Sequence, residues 1–73
     1  MIKVFKTDID SLTHADLIKN SLLTKFPGFK IDIDLEDSDR ILRVEGDYFK
    51  AQDISSCLKG HGNICINLPI DLS

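Results

Sequence analysis

Cysteine is scarce in this chain: Cys57 and Cys65 are the only two among 73 residues. That excludes a disulfide-stapled scaffold, which needs several bridges to hold so short a chain. No apolar run approaches the roughly 20 residues that a membrane-spanning helix requires. No charged stretch followed by an apolar one marks an export signal, so a reduced, cytoplasmic chain is the expectation. Basic residues are outnumbered, nine Lys and Arg against twelve Asp and Glu, which leaves a net charge of −3. A nucleic-acid binder usually presents a basic face, and this balance argues against one. There is no Gly-rich phosphate loop and no motif-like spacing of Ser, His and Asp, so an enzyme is not expected. Low-complexity stretches and linkers are also missing, as is any repeat beyond two strand–helix–strand halves.

What is present is ordinary for a globular domain: 42% hydrophobic and 29% charged residues. A single domain over residues 1–73 with one small core follows from the length. Ile2 to Ile9 reads as a strand, with Phe5, Thr7 and Ile9 on one face and Val4, Lys6 and Asp8 on the other. A helix follows from Leu12 or Thr13 to Phe26, its apolar stripe made by Ala15, Ile18, Leu22 and Phe26. Ser11 or Thr13 can cap its start, and Pro27-Gly28 turns the chain. Phe29 to Glu36 alternates apolar and charged residues throughout, which predicts a strand wet on one face. Asp37-Ser38-Asp39-Arg40 is a turn, and Ile41 to Glu45 a third strand with Leu42 and Val44 facing in. A second helix runs from about Lys50 to Lys59 on Ala51, Ile54 and Leu58, with Gly60 and Gly62 after it. Ile64, Ile66 and Leu68 alternate as the last strand, Cys65 lies on its other face, Pro69 closes it, and residues 69–73 extend beyond.

The order β-α-β-β-α-β predicts an α+β fold of the ferredoxin-like kind. Its four antiparallel strands take the spatial order 4-1-3-2 and carry both helices on one face. Ile18, Leu22, Ile31, Ile33, Val44, Ile54 and Leu58 are the expected core. Following each element up or down brings the loop after the first strand against the loop after the second helix. Ser11 to His14 should therefore face Gly60 to Asn63.

Several segments carry a family resemblance. They are Phe5-Lys6-Thr7-Asp8-Ile9-Asp10, Phe26-Pro27-Gly28-Phe29, and Asp32-Ile33-Asp34-Leu35 with Ile41-Leu42-Arg43-Val44-Glu45-Gly46. Asp53-Ile54 and Leu58-Lys59-Gly60-His61-Gly62 continue the pattern. Together they resemble a heavy-metal-associated domain, the small fold of copper chaperones and metal-transporting ATPases. The resemblance implies a metal loop with Cys-x-x-Cys at the first strand–helix junction. Here Ser11 and His14 stand at those positions. Two thiolates suit a soft monovalent copper ion, whereas a serine hydroxyl does not. The implied function is a non-catalytic domain of this type with a degenerate metal loop.

Four constellations remain to be weighed. His14 and His61 could converge across the two loops, with Asp10 and Ser11, and also Asp8, completing a site. Imidazole with carboxylate suits a divalent ion such as zinc, nickel or copper(II); the plain alternative is two solvated histidines and acids that complement a helix N-terminus. Cys57, His61 and Cys65 are spaced as a second set of ligands, but Cys57 beside Ile54 and Leu58 reads better as a buried apolar group. Its side chain and that of Cys65 are expected to diverge and stay unpaired. The acids from Asp32 to Asp47 do not follow a calcium-loop spacing and fit a charged edge strand. Last, the open sheet face should show Ile2, Val4, Ile41 and Arg43, a mixture suited to a protein partner or a homodimer. It lacks the aromatics an RNA-binding sheet would need on its first and third strands.

Overall fold

The computed structural model describes residues 1–71. Its elements are β1 (Ile2–Thr7), α1 (Leu12–Lys25), β2 (Lys30–Asp34), β3 (Ile41–Glu45), α2 (Ala51–Gly60) and β4 (Cys65–Asp71). The strands form one antiparallel sheet in the order β2-β3-β1-β4, which is β4-β1-β3-β2 counted from the other edge. No helix among the described residues is long and apolar enough to cross a membrane.

One cluster makes the core. Phe5 of β1, Ile31 of β2, and Leu42 and Val44 of β3 meet Ala15, Ile18 and Leu22 of α1 and Ile54, Cys57 and Leu58 of α2. The two helices also touch each other, α1 lies against β2, and α2 lies against β4. Fully burying one Leu, Ile or Phe side chain contributes about 1.5–3 kcal/mol, so this cluster is the main stabilising term. Phe49, just before α2, joins it.

Local chemistry sets the element ends. Ser11 caps α1: its backbone is extended and its Oγ accepts from the His14 N–H at 3.1 Å. This satisfies one of the helix's unpaired donors. Phe26 ends the helix, its N–H bonded to the Leu22 carbonyl, and Gly28 at φ +89° makes the turn. In the β2–β3 connection, Arg40 N–H donates to the Asp37 carbonyl and Arg40 itself takes φ +47°.

Four expectations need correction. The first strand stops at Thr7, yet Ile9 is still fully buried, because the chain leaves the sheet while that side chain stays in the core. The second strand is shorter than expected, Lys30–Asp34, and Ile33, near its end, is only partly buried against the core that Ile31 joins. Pro69 does not close the last strand. β4 continues to Asp71 past a register shift against β1, since an edge strand has no outer neighbour that needs the missing N–H. The expected extension therefore has residues 69–71 in the strand, and Leu72 and Ser73 lie outside the described residues. Finally, Cys65 pairs with buried Thr7, so the cysteine side of β4 faces the core and the isoleucine side faces out.

At the far end of the sheet, Phe29 stacks on Phe26 at 5.0 Å between centroids and tilts against Phe49 at 5.3 Å. A Cβ added to Gly46 would stand 2.5 Å from the Phe29 ring. Gly46→Ala should therefore destabilise the fold by about 1–3 kcal/mol, the range for overpacking a filled site. Urea unfolding reads this. The Gly46→Ala, Phe29→Ala double variant should lose less than the two single losses added together; additive losses would show that the ring steps aside freely.

Candidate functional site

The loop after β1 and the loop after α2 meet, as the directions of the elements require. Their link is Asn63. Its Nδ2 donates to Asp8 Oδ1 at 2.8 Å, and the same carboxylate oxygen accepts from the Ile64 N–H at 3.0 Å. With the amide hydrogens committed to Asp8, the Asn63 Oδ1 is the acceptor toward His14, so His14 Nε2 carries the hydrogen of that bond. A nitrogen that donates has no lone pair for a metal. The result is a clasp in which a neutral carboxamide joins an imidazole to a carboxylate.

Asp8 feels this arrangement. The Asn63 hydrogen bond holds its carboxyl below the ordinary value, helped by the Ile64 N–H and by nearby His14, while partial desolvation opposes them. The site needs β1 to deliver Asp8, the Ser11 cap to orient the first turn that bears His14, and the Gly62 turn at φ +80° to present Asn63.

The expected metal ligands are placed differently. Ser11 is spent on capping. Asp10 is exposed, and His61 is the half-buried C-cap of α2, its backbone N–H bonded to the Leu58 carbonyl. Among the described residues, no three His, Cys, Asp or Glu side chains are gathered so that they could hold a metal ion. That covers the Cys57, His61 and Cys65 set as well. Cys57 is buried with its Sγ 3.5 Å from Ser21 Oγ, and both cysteines are free thiols.

The second candidate is the sheet face away from the core. Residues directly opposite on antiparallel strands share a face. Ile2 pairs with Glu45, Val4 with Arg43, Asp32 with Arg43, Asp34 with Ile41, and Lys6 with Ile66. Arg43 is ion-paired to Asp32 at 3.9 Å and Glu45 at 3.6 Å, and Lys6 to Asp39 at 3.4 Å. Ile2, Ile41 and Arg43 are half-buried as an open face allows, but Val4 is buried beneath its neighbours and offers little contact area. The larger apolar surface belongs to Ile64, 59% exposed, and Ile66, 50% exposed. Sequence reasoning set both on the face opposite Cys65 and did not count either among the open-face residues. The signal was Cys65, whose small apolar side chain suits the tight space under α2.

No family model, curated protein or solved structure matches the chain.

Two outcomes follow from this geometry. Because the folded Asp8 pKa is depressed below 3.8, the stabilisation it lends to the clasp is fully present above that pH and disappears as pH falls through the lowered value. Asn63→Ala should move the Asp8 titration upward in a carboxyl NMR titration; an unmoved titration would remove Asn63 as the cause. For the thiols, burial raises the Cys65 pKa and Cys57 is inaccessible. Both should react slowly with a thiol reagent at neutral pH and readily in denaturant, and intact mass should be the same with and without reductant, apart from the reagent adducts. A mass two hydrogens lighter without reductant would mean a disulfide.

Proposed function

We propose that this chain is a non-catalytic binding domain of the heavy-metal-associated type, whose first loop is closed by hydrogen bonds and which works by protein contact through its open sheet face. The arrangement of strands and paired helices supports the ferredoxin-like reading, with both helices covering one face. The carrying observation is the His14–Asn63–Asp8 clasp. It occupies Nε2 of His14 in a bond to Asn63, at the junction where the resemblance puts a metal loop, and leaves only Nδ1 with a lone pair. Two free thiols accord with a reducing, cytoplasmic setting.

The competing reading is a weak divalent-metal site on His14 and His61, and one titration separates the two. Calorimetry with zinc on the native protein, His14→Ala and His61→Ala should give the same negligible uptake in all three. Zinc binding that is lost in both variants would overturn the proposal and restore the metal reading. The native protein should also surrender monovalent copper to a competing thiol chelator. The Ser11→Cys, His14→Cys double variant should retain it, because it supplies two thiolates at the loop. A double variant that gains no copper would count against the heavy-metal-associated type.

A further inference from the structure

We propose that the groove between α1 and the free edge of β2 takes an extended segment of another protein as a fifth strand, one in which basic residues alternate with aliphatic ones. None of the clasp residues Asp8, His14 and Asn63 lines this groove. It is a second contact surface, beyond the open-face reading.

The backbone of β2 is open on one side. Gly46 N–H donates to the Met1 carbonyl and the Met1 amino group to the Gly46 carbonyl, both at 3.0 Å. This exchange makes Met1 and Gly46 a hydrogen-bonded pair, one step beyond the pairing of Ile2 with Glu45. Alternation then aims the N–H and C=O groups of Leu42 and Val44 at β1, and those of Ile41, Arg43 and Glu45 at β2. Their partners there are Asp34, Asp32 and Lys30. The N–H and C=O groups of Ile31 and Ile33 point the other way, where β2 has no neighbouring strand. Among the described residues, no backbone bond from a loop or turn reaches them.

Beside that edge lie two adjoining hollows of about 260 and 190 Å³. Leu23 and Phe29 line the first, Ile33 and Leu35 line the second, and Ile31 is common to both. Leu12, Asp16, Lys19 and Leu23 flank them from α1, three or four residues apart and so on one side of the helix. On the β2 side the hollows follow alternate residues, the period at which a strand turns its side chains to one face. Each is smaller than the roughly 300–1,000 Å³ of a small-molecule site. They suit single aliphatic side chains two residues apart on an added strand, not one compact ligand.

Charge selects the segment. Asp16, Asp32, Asp34 and Glu36 stand along the groove against Lys19 and Lys30, four acids against two lysines, which leaves −2. Arg43 does not change that sum, because it is shared between Asp32 at 3.9 Å and Glu45 at 3.6 Å, and the added charges of Arg43 and Glu45 cancel. An excess of one sign favours a partner of the other. A second copy of this chain does not supply it. Its β2 would set Asp32 and Asp34 against their own kind. Its β4, Cys65–Asp71, carries neither Lys nor Arg, and Pro69 has no N–H to offer.

The direction of pairing fixes which groups meet. Every neighbouring pair in this sheet is antiparallel, and an antiparallel fifth strand sets its hydrogen-bonded residues directly opposite Ile31 and Ile33, on the same face. The aliphatic residues of the segment therefore bond to the β2 backbone and enter the hollows. The basic residues between them fall beside Asp32 and Asp34, where opposite charges on neighbouring strands are stabilising. Main-chain bonds supply affinity in such a contact, and alternate side chains supply specificity.

The probe is a capped hexapeptide of alternating valine and arginine, added to the native protein up to about 1 mM, which reaches weak binding. Amide hydrogen exchange reads its position. In the free protein Ile31 and Ile33 should exchange faster than Asp32, and saturating peptide should slow both at least about tenfold, since each gains a hydrogen bond. Methylating the valine nitrogens should weaken binding at least about tenfold, because those N–H groups face β2. Replacing arginine by glutamate should abolish it. The Asp32→Asn, Asp34→Asn double variant should bind about twofold to thirtyfold more weakly, the loss of two cross-strand charge pairs. Asn at 34 keeps the oxygen that accepts from the Glu36 and Asp37 N–H groups, so the turn is retained. No saturable binding, unchanged exchange at Ile31 and Ile33, or equal binding by the N-methylvaline peptide overturns the proposal. So does equal binding by the double variant. Exchange at Ile31 and Ile33 that slows as the protein alone is concentrated also overturns it and gives the edge to a second copy. None of these outcomes bears on the zinc and copper titrations, so this proposal and the functional reading fail separately.

Discussion

A chain of 73 residues has apolar surface enough to hide one face of a four-stranded sheet and little more. That constraint governs the rest. Phe5, Leu42, Val44 and Ile31 turn to the helices, and β1 and β3 take the central places. The other face is left to water; Arg43 pairs there with Asp32 and Glu45, and Lys6 reaches Asp39 in the β2–β3 turn. Half of the sheet's side chains are therefore released from folding duty. They can answer to a partner without disturbing the core.

The loop end shows the same economy in a different form. A metal would join two loops with strong bonds and a fixed charge. Asn63 joins them with a neutral group that donates to Asp8 and accepts from His14. Ser11 adds to this only by starting α1, and it is the side chain at the first position of the expected metal motif. The loop scaffold thus remains ordered by helix capping and amide chemistry, with no need for a soft ion.

Much of the architecture was legible before the structure because it depends on periodicity. Ile18, Leu22, Ile31, Val44, Ile54 and Leu58 all lie in the core as their spacing implies. The meeting of the two loops was legible too, since it follows from the direction of each element. The identity of the contact was not. His61 drew attention as a potential ligand, whereas Asn63 two residues later makes the bond, and hydrogen-bond partners depend on turn geometry that spacing does not encode. The orientation of β4 was misread for a related reason. Ile64 and Ile66 look like the buried side by hydropathy alone, but pairing Cys65 with Thr7 reverses it.

Arg40 and Thr7 bring a third loop to the same end. The Thr7 hydroxyl donates to the Arg40 carbonyl at 2.6 Å and accepts from the Ile9 N–H at 3.3 Å, tying the β2–β3 turn to the strand exit. The bonds here join residues far apart in the chain: 33 positions for Thr7 with Arg40, 49 for His14 with Asn63 and 55 for Asp8 with Asn63. Closing loops of that length is entropically costly until strand pairing has already brought the ends together. During folding this end is therefore assembled late, after β1 has found both β3 and β4.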